Sequence, residues 1–366
     1  MRILILCHSL GYGGAESYAV RIARGLDECG HRVGLLTEGG PLASHLQGSG
    51  VELIEAGLST DRLDRAAKSL RGDGYHVVNS QHYRSARIGA RLAGELGMGH
   101  VMTVHARRNL FGRMMFRSWT PKVITVSPAV ADSLDAPFGV PRDRIHVSLL
   151  PIDTTLYRPG GPVADPPEAW GEDGGCRIIL HISRLEYRKV RPALALVGAM
   201  PSILDCCPKA RLLIVGVGRG AERVREAVSA LNAERSDVAR LLEPRPDVSP
   251  LYRLAEVTVA TGLVARESLA CGCPVVAAGR LGHLGAVEGA SFEEGDRGNF
   301  GDLAECPEPI SAEAMARDVG RVLEESGRFG AEAARLAELV AARYGLRAAA
   351  EDIEPVLREA AREDRH

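Results

Sequence analysis

The chain has no Cys-x-x-Cys pair, no long apolar run and no excess of charge of one sign. Its eight cysteines are Cys7, Cys29, Cys176, Cys206, Cys207, Cys271, Cys273 and Cys306. Several fall inside apolar strand or helix patterns, where a reduced cysteine serves as a small buried hydrophobe. Cys271-Gly-Cys273 has no further ligands in reach, so neither a metal centre nor a cofactor is expected. No apolar stretch approaches the ~18 residues of a spanning helix, and the opening MRILILCHSL turns polar too soon for a signal peptide. A cytoplasmic protein is expected. Lys and Arg total 45 against 47 Asp and Glu, a formal net charge of −2. Such a balance builds no extended polyanion-binding surface, which excludes nucleic acid as a main partner.

What is present is a repeated alternation. Short Val, Ile and Leu runs alternate with segments of helical period, the pattern of a parallel sheet covered by helices. RILILC, RVGLLT, VELIEAG, HVVNSQ, HVMTVHA and KVITVS read as six strands of a first sheet. The pattern restarts with CRIILHIS, ARLLIVGVG, DVARLLEP, EVTVATG and CPVVAAG, and between the two sets lies a Gly- and Pro-rich stretch. At 366 residues, two domains are expected, with a ligand cleft between them. The boundaries predicted are a Rossmann-like domain over 1–158, a linker over 159–175, a second Rossmann-like domain over 176–345 and a helical segment over 346–366 that packs back on the first domain. SAEAMARDVGRVLEE reads as a helix capped by Ser311, no strand is expected after about residue 300, and the closing helices are expected to break near Gly345 and Pro355.

Five segments could carry chemistry. HSLGYGGAESYAVRIARGL follows the first strand, and Ala15, Tyr18, Ala19, Ile22, Ala23 and Leu26 mark one helix face starting after Gly13-Gly14. A helix start behind glycines suits a phosphate, though a tight turn without ligand has the same spacing. HISRLEYRKV places Arg184, Arg188 and Lys189 at a strand's C-terminal end, where cations suit a diphosphate; singly, each reads as a solvated surface charge. The Gly216-x-Gly218 loop indicates only a close strand-to-helix turn. His105 ends a strand in VMTVHARR. In GLVARESLACGCPVV, Gly262 reads as a turn and Glu267 as a carboxylate within the first turn or so of a short helix closed by Gly272. It could accept two ribose hydroxyls or act as a helix-dipole partner.

In this order the segments resemble a retaining family 4 glycosyltransferase of the GT-B fold, over nearly the whole chain. GYGGAESYAVRIARGLDECGHRV is similar to that family's Gly-Gly-x-Glu motif. VMTVHARR and KVITVSPAVADSL resemble its acceptor-domain strands, HISRLEYRKV its Arg-x4-Lys loop, and GLVARESLACGCPVVAAG its donor motif. The resemblance implies an α/β protein of two Rossmann-like domains that moves a sugar from a nucleotide diphosphate-sugar donor to an acceptor it does not identify. It implies that Arg184 and Lys189 bind the diphosphate with the amides of Gly13 and Gly14, that Glu267 holds the ribose, that Gly262, Leu263 and Val264 line the donor, and that His105 lies near the transferred sugar.

Three departures accompany it. The family's first glutamate, eight residues before the second, falls on Val259. Leu150-Pro151 replaces the usual Asn-Gly ahead of Asp153, and Gly279 to Asn299 follows the common pattern poorly. No Asp-x-Asp occurs, so basic side chains and helix starts, not a chelated metal, are expected to stabilise the leaving diphosphate. Val259 motivates one alternative, a donor-binding homologue with little activity. An NAD(P)-dependent oxidoreductase is the other, disfavoured by the missing Gly-x-Gly-x-x-Gly. Arg107 to Trp119 mixes arginines with Leu, Phe, Met and Trp. It reads as a loop and helix packed inward, with weak peripheral membrane contact as the alternative.

Overall fold

The structure is a computed structural model that describes residues 1–57, 67–106, 122–148, 150–171, 175–303 and 306–363. It divides into two units, Met1–Asp153 with Arg343–His366, and Thr154–Ala342. The Arg107 to Trp119 segment lies outside the described residues.

Among its described residues the first unit holds seven parallel strands: β1 (Arg2–Leu6), β2 (Arg32–Thr37), β3 (Glu52–Glu55), β4 (Val77–Gln81), β5 (Gly99–Val104), β6 (Lys122–Thr125) and β7 (Ile145–Val147), in the order β3-β2-β1-β4-β5-β6-β7. β4 and β5 are buried along their whole length, as strands covered on both faces must be. β3, at the edge, is largely exposed and carries Glu52 and Glu55 at its ends, charges that discourage pairing with another chain. β7 is an addition to the six strands read from sequence. Three half-buried residues are too few to show a period.

The expected face of the helix Gly14–Glu28 is buried at Tyr18, Ala19, Ile22, Ala23 and Leu26. The helix Leu346–Glu363 completes this unit. A Cβ on Gly25 would collide with the Leu346 carbonyl and one on Gly99 with the Ala360 carbonyl, so glycine at both places lets the backbones touch. The ion pair Lys122–Glu359 (2.6 Å) and a hydrogen bond between His146 Nε2 and the Asp352 carboxylate (3.0 Å) flank the contact. The helices do break at Gly345, between Ser326–Tyr344 and Leu346–Glu363. Pro355, by contrast, lies within Leu346–Glu363. Burial of Ala349, Ala350, Ile353, Val356, Leu357 and Ala360 holds that helix together despite the missing N–H.

The second unit has β8 (Arg177–Ile182), β9 (Ala210–Val215), β10 (Ala239–Leu242), β11 (Val257–Ala260), β12 (Val275–Gly279) and β13 (Gly282–Ala286), in the order β10-β9-β8-β11-β12-β13. All pair in parallel except β13, which runs antiparallel to β12 across a register shift at Ala277/Ala278. The sequence reading missed β13 because GHLGA has glycine at two of five positions, one of them, Gly285, at φ 89°. Ser311 does cap Ala312–Glu324, accepting from the Ala314 N–H at 3.1 Å. Met315, Val319, Val322 and Leu323 of that helix join the core of this unit.

Candidate functional site

In the second unit the strand order reverses between β8 and β11, the point at which open α/β sheets bind ligands beyond their strand ends. The loop after β8 carries Arg184, which is exposed, and Lys189, at the start of the helix Val190–Cys206. Gly216 and Gly218 allow the next loop to lie against the Ser183 and Leu185 carbonyls, so these glycines fix the loop's packing. Lys189 Nζ is 2.7 Å from the Asp302 carboxylate. After β11 the helix starts at Gly262, with Thr261 the only connecting residue, and runs to Ala270. Glu267 therefore sits in its second turn rather than its first, and is not a first-turn partner of the dipole.

Gly262 adopts φ 62°, a conformation that favours glycine, and its N–H donates to the Asn299 carbonyl at 3.1 Å. That amide is committed within the fold; Leu263 and Val264 carry the first-turn N–H groups that a helix leaves without an internal partner. Glu267 is only 5% exposed and accepts a hydrogen bond from the Tyr252 hydroxyl at 2.9 Å. Burial and the adjacent carboxylate push the Tyr252 phenol well above its ordinary range. Behind the strand ends, His181 Nδ1–H donates to the Val259 carbonyl (2.8 Å) and Nε2 accepts from the Ser183 hydroxyl (2.9 Å).

The first unit reverses its strand order between β1 and β4, and its candidates gather there. Gly13 caps the helix after β1, and open space stands where a Gly14 side chain would be. His105, partly buried just past β5, makes an edge-to-face contact with Tyr18 at 5.1 Å. Its Nε2 is 2.9 Å from Gln81 Oε1 at the end of β4. The Gln81 amide donates to Asn79 Oδ1, and the Asn79 amide to Thr103 Oγ1 at 3.0 Å. Since Gln81 gives its N–H to Asn79, its oxygen must accept, which places the proton on His105 Nε2 and a lone pair on Nδ1. Burial, with the nearby His82 adding repulsion, pushes this imidazole down to about 3. It is neutral at physiological pH.

Comparison with known proteins bears on both units. Residues 12–156 match the Glycosyltransferase Family 4 model, and residues 176–324 match Glycosyl transferases group 1. The chain belongs to the family 4, group 1 glycosyltransferases. It is 26% identical over 392 residues to a D-inositol 3-phosphate glycosyltransferase of Thermobispora bispora, covering 89% of each chain. With D-inositol 3-phosphate glycosyltransferase 1 of Catenulispora acidiphila it shares 26% over 314 residues, 73% of this chain and 74% of the relative. Among solved structures, Anabaena Alr3699/HepE in complex with UDP and glucose superposes with a TM-score of 0.75 at 17% identity, covering 98% of this chain and all of that one. Sucrose-phosphate synthase from Thermosynechococcus elongatus gives 0.70 at 19% identity, covering 98% of each. The fold is GT-B, and the oxidoreductase alternative falls with this assignment.

Within this glycosyltransferase, Val259 is a core residue of β11 with no exposed surface. Thr261 alone separates β11 from the next helix, so the position eight residues before Glu267 falls within the strand, where Val259 packs in the core. Asp153, the landmark after the altered Leu150-Pro151, pairs with Arg24, and Arg21 donates to the Pro151 carbonyl at 3.2 Å. The departure from Gly279 to Asn299 contains β13 and the helix Gly289–Arg297. Asp302, Tyr252, Gln81 and Asn299 were not found from sequence. Each acts through a contact with a residue at least fifteen positions away, for which a single chain gives no signal.

Proposed function

We propose that this glycosyltransferase moves a sugar from a nucleoside diphosphate-sugar to a hydroxyl acceptor, with retention and without a metal ion. The observation that carries the reading is the strand reversal between β8 and β11, which gives Arg184, Lys189, the Gly262 helix start and Glu267 one shared edge of one sheet. Arg184 and Lys189 bind the diphosphate as its charge grows on leaving, and the Leu263 and Val264 amides line the sugar donor. Glu267, oriented by Tyr252, receives the ribose hydroxyls. The likeness to a structure holding UDP and glucose supports a nucleotide-sugar donor.

In the first unit, Gly13 and Gly14 offer an anion-binding helix start, and the lone pair on His105 Nδ1 accepts a hydrogen bond from a hydroxyl of the acceptor. Retention follows the family's proposal that the acceptor attacks on the face the diphosphate leaves, the diphosphate taking the proton. The relatives named for inositol 3-phosphate make a phosphorylated polyol the first acceptor to try. No helix among the described residues is long and apolar enough to cross a membrane, and work in the cytoplasm suits a soluble sugar donor.

The test is thermal unfolding against UDP, GDP, ADP and TDP, each with and without EDTA, repeated on Glu267→Ala. A ligand at about 100 times its Kd adds roughly 2.7 kcal/mol. One diphosphate should stabilise the wild type, keep its effect in EDTA and lose it in the variant. Stabilisation that EDTA abolishes would overturn the metal-free mechanism; stabilisation unchanged in Glu267→Ala would move the ribose site elsewhere.

A further inference from the structure

We propose that Asp302 is a positioning residue for Lys189, fixing the ammonium that meets the sugar donor's diphosphate; this rests on the role given to Lys189 above. The two side chains are 2.7 Å apart but differ in access, Asp302 being 10% exposed and Lys189 42%. Here a nearly buried carboxylate holds a lysine whose side chain is partly open to solvent. One of the three ammonium protons goes to Asp302, and two stay available for phosphate oxygens.

The backbone that delivers Asp302 is costly to build. Asn299 and Phe300 both adopt φ 53°, followed by Gly301 at 92°. Left-handed conformations are uncommon outside glycine and a clear outlier for a phenylalanine, and they persist only where the surroundings over-determine them. Those surroundings are the site itself. The Asn299 carbonyl accepts from Gly262 N–H (3.1 Å) and from the Thr261 hydroxyl (3.0 Å). Arg266 grips the Asn299 side chain (2.9 Å) and Asp296 (2.8 Å), and Phe300 is fully buried. On the far side, Arg280 donates its guanidinium to the Asp302 carbonyl (2.8 Å) and its backbone N–H to the Asp302 carboxylate (3.4 Å). One strained turn is thus anchored on the helix start after β11 and reaches the lysine of the loop after β8.

A free lysine stem has four rotatable bonds and would have to be ordered when the diphosphate binds. Held by Asp302, the ammonium is already in place and needs no rearrangement as the bond to the sugar breaks.

The experiment is a double-mutant cycle on Asp302→Asn and Lys189→Met, reading UDP affinity by calorimetry, UDP-glucose turnover and the unfolding midpoint. If thermal unfolding selects another diphosphate, that one and its sugar replace UDP. Asp302→Asn should lower kcat/KM roughly tenfold or more, Asp302→Glu should restore part of it, and Asp302→Asn should cost nothing further in the Lys189→Met background. An equal cost in both backgrounds, or wild-type turnover in Asp302→Asn, overturns the proposal. Should Asp302→Asn fail to fold, Asp302→Glu takes its place in the cycle, where a loss that vanishes without Lys189 supports the proposal and one that persists overturns it. If Lys189→Met leaves affinity and turnover unchanged, the donor-site reading itself is wrong. If Lys189→Met removes both and Asp302→Asn neither, only the role of Asp302 fails.

Discussion

The Tyr252 hydroxyl donates to Glu267 Oε2 across 2.9 Å, joining the helix Ser249–Leu254 to the one carboxylate between Gly262 and Val276. Both residues are buried. Hydrogen bonds to charged groups contribute about 1.5–3 kcal/mol, and Tyr252→Phe should destabilise the protein by that order in urea unfolding at pH 7. A loss below ~0.5 kcal/mol would mean that Glu267 is held in place by other groups.

Introducing the family's glutamate at the counted position should harm rather than help. Val259→Glu would place a carboxylate with no partner in the core of β11, at a cost of several kcal/mol. Unfolding midpoint and turnover should both fall. A stable variant with raised activity would show that position 259 reaches the sugar after all.

His181 gives a pH dependence of defined sign. Burial pushes it down to about 4 from an ordinary value of 6.5, so the unfolded chain takes up a proton that the native state refuses. Its contribution is absent above pH 6.5, turns unfavourable as pH falls, and levels off near pH 4 after a loss on the order of 3 kcal/mol. His181→Gln should lose less stability than the wild type between pH 6.5 and 4. Denaturant curves at matched pH would reject this if the difference between the two proteins stays constant.

Gly25 tests the return of the C-terminal helix. A side chain there meets the Leu346 carbonyl, so Gly25→Ala must push Leu346–Glu363 away from Gly14–Glu28. Overpacking of this kind costs about 1–3 kcal/mol. Faster hydrogen exchange in residues 346–363, measured against the wild type, should accompany the lower midpoint. Unchanged exchange would show that the contact gives way without cost.

Local physics made much of this protein legible in its sequence. Fully buried parallel strands such as VVNSQ must be apolar or internally hydrogen-bonded, and the face of Gly14–Glu28 repeats with the helical period. Ser311 announces its own helix. The strand-end positions of Gly13, Arg184, Lys189 and Gly262 were legible because the alternation of strands and helices shows where each strand stops. Short or irregular elements were beyond reach: β7 has three residues, β13 has two glycines, and Pro355 stays helical only because a buried face outweighs one lost hydrogen bond. The partners of the site were equally hidden. Whether Val259 faces a ligand or a core depends on the length of one connection, and the pairing of Lys189 with Asp302 spans 113 positions. Such contacts are set when separate segments close on one another, and their free energy belongs to the pair, so neither residue's neighbours in the chain carry its sign.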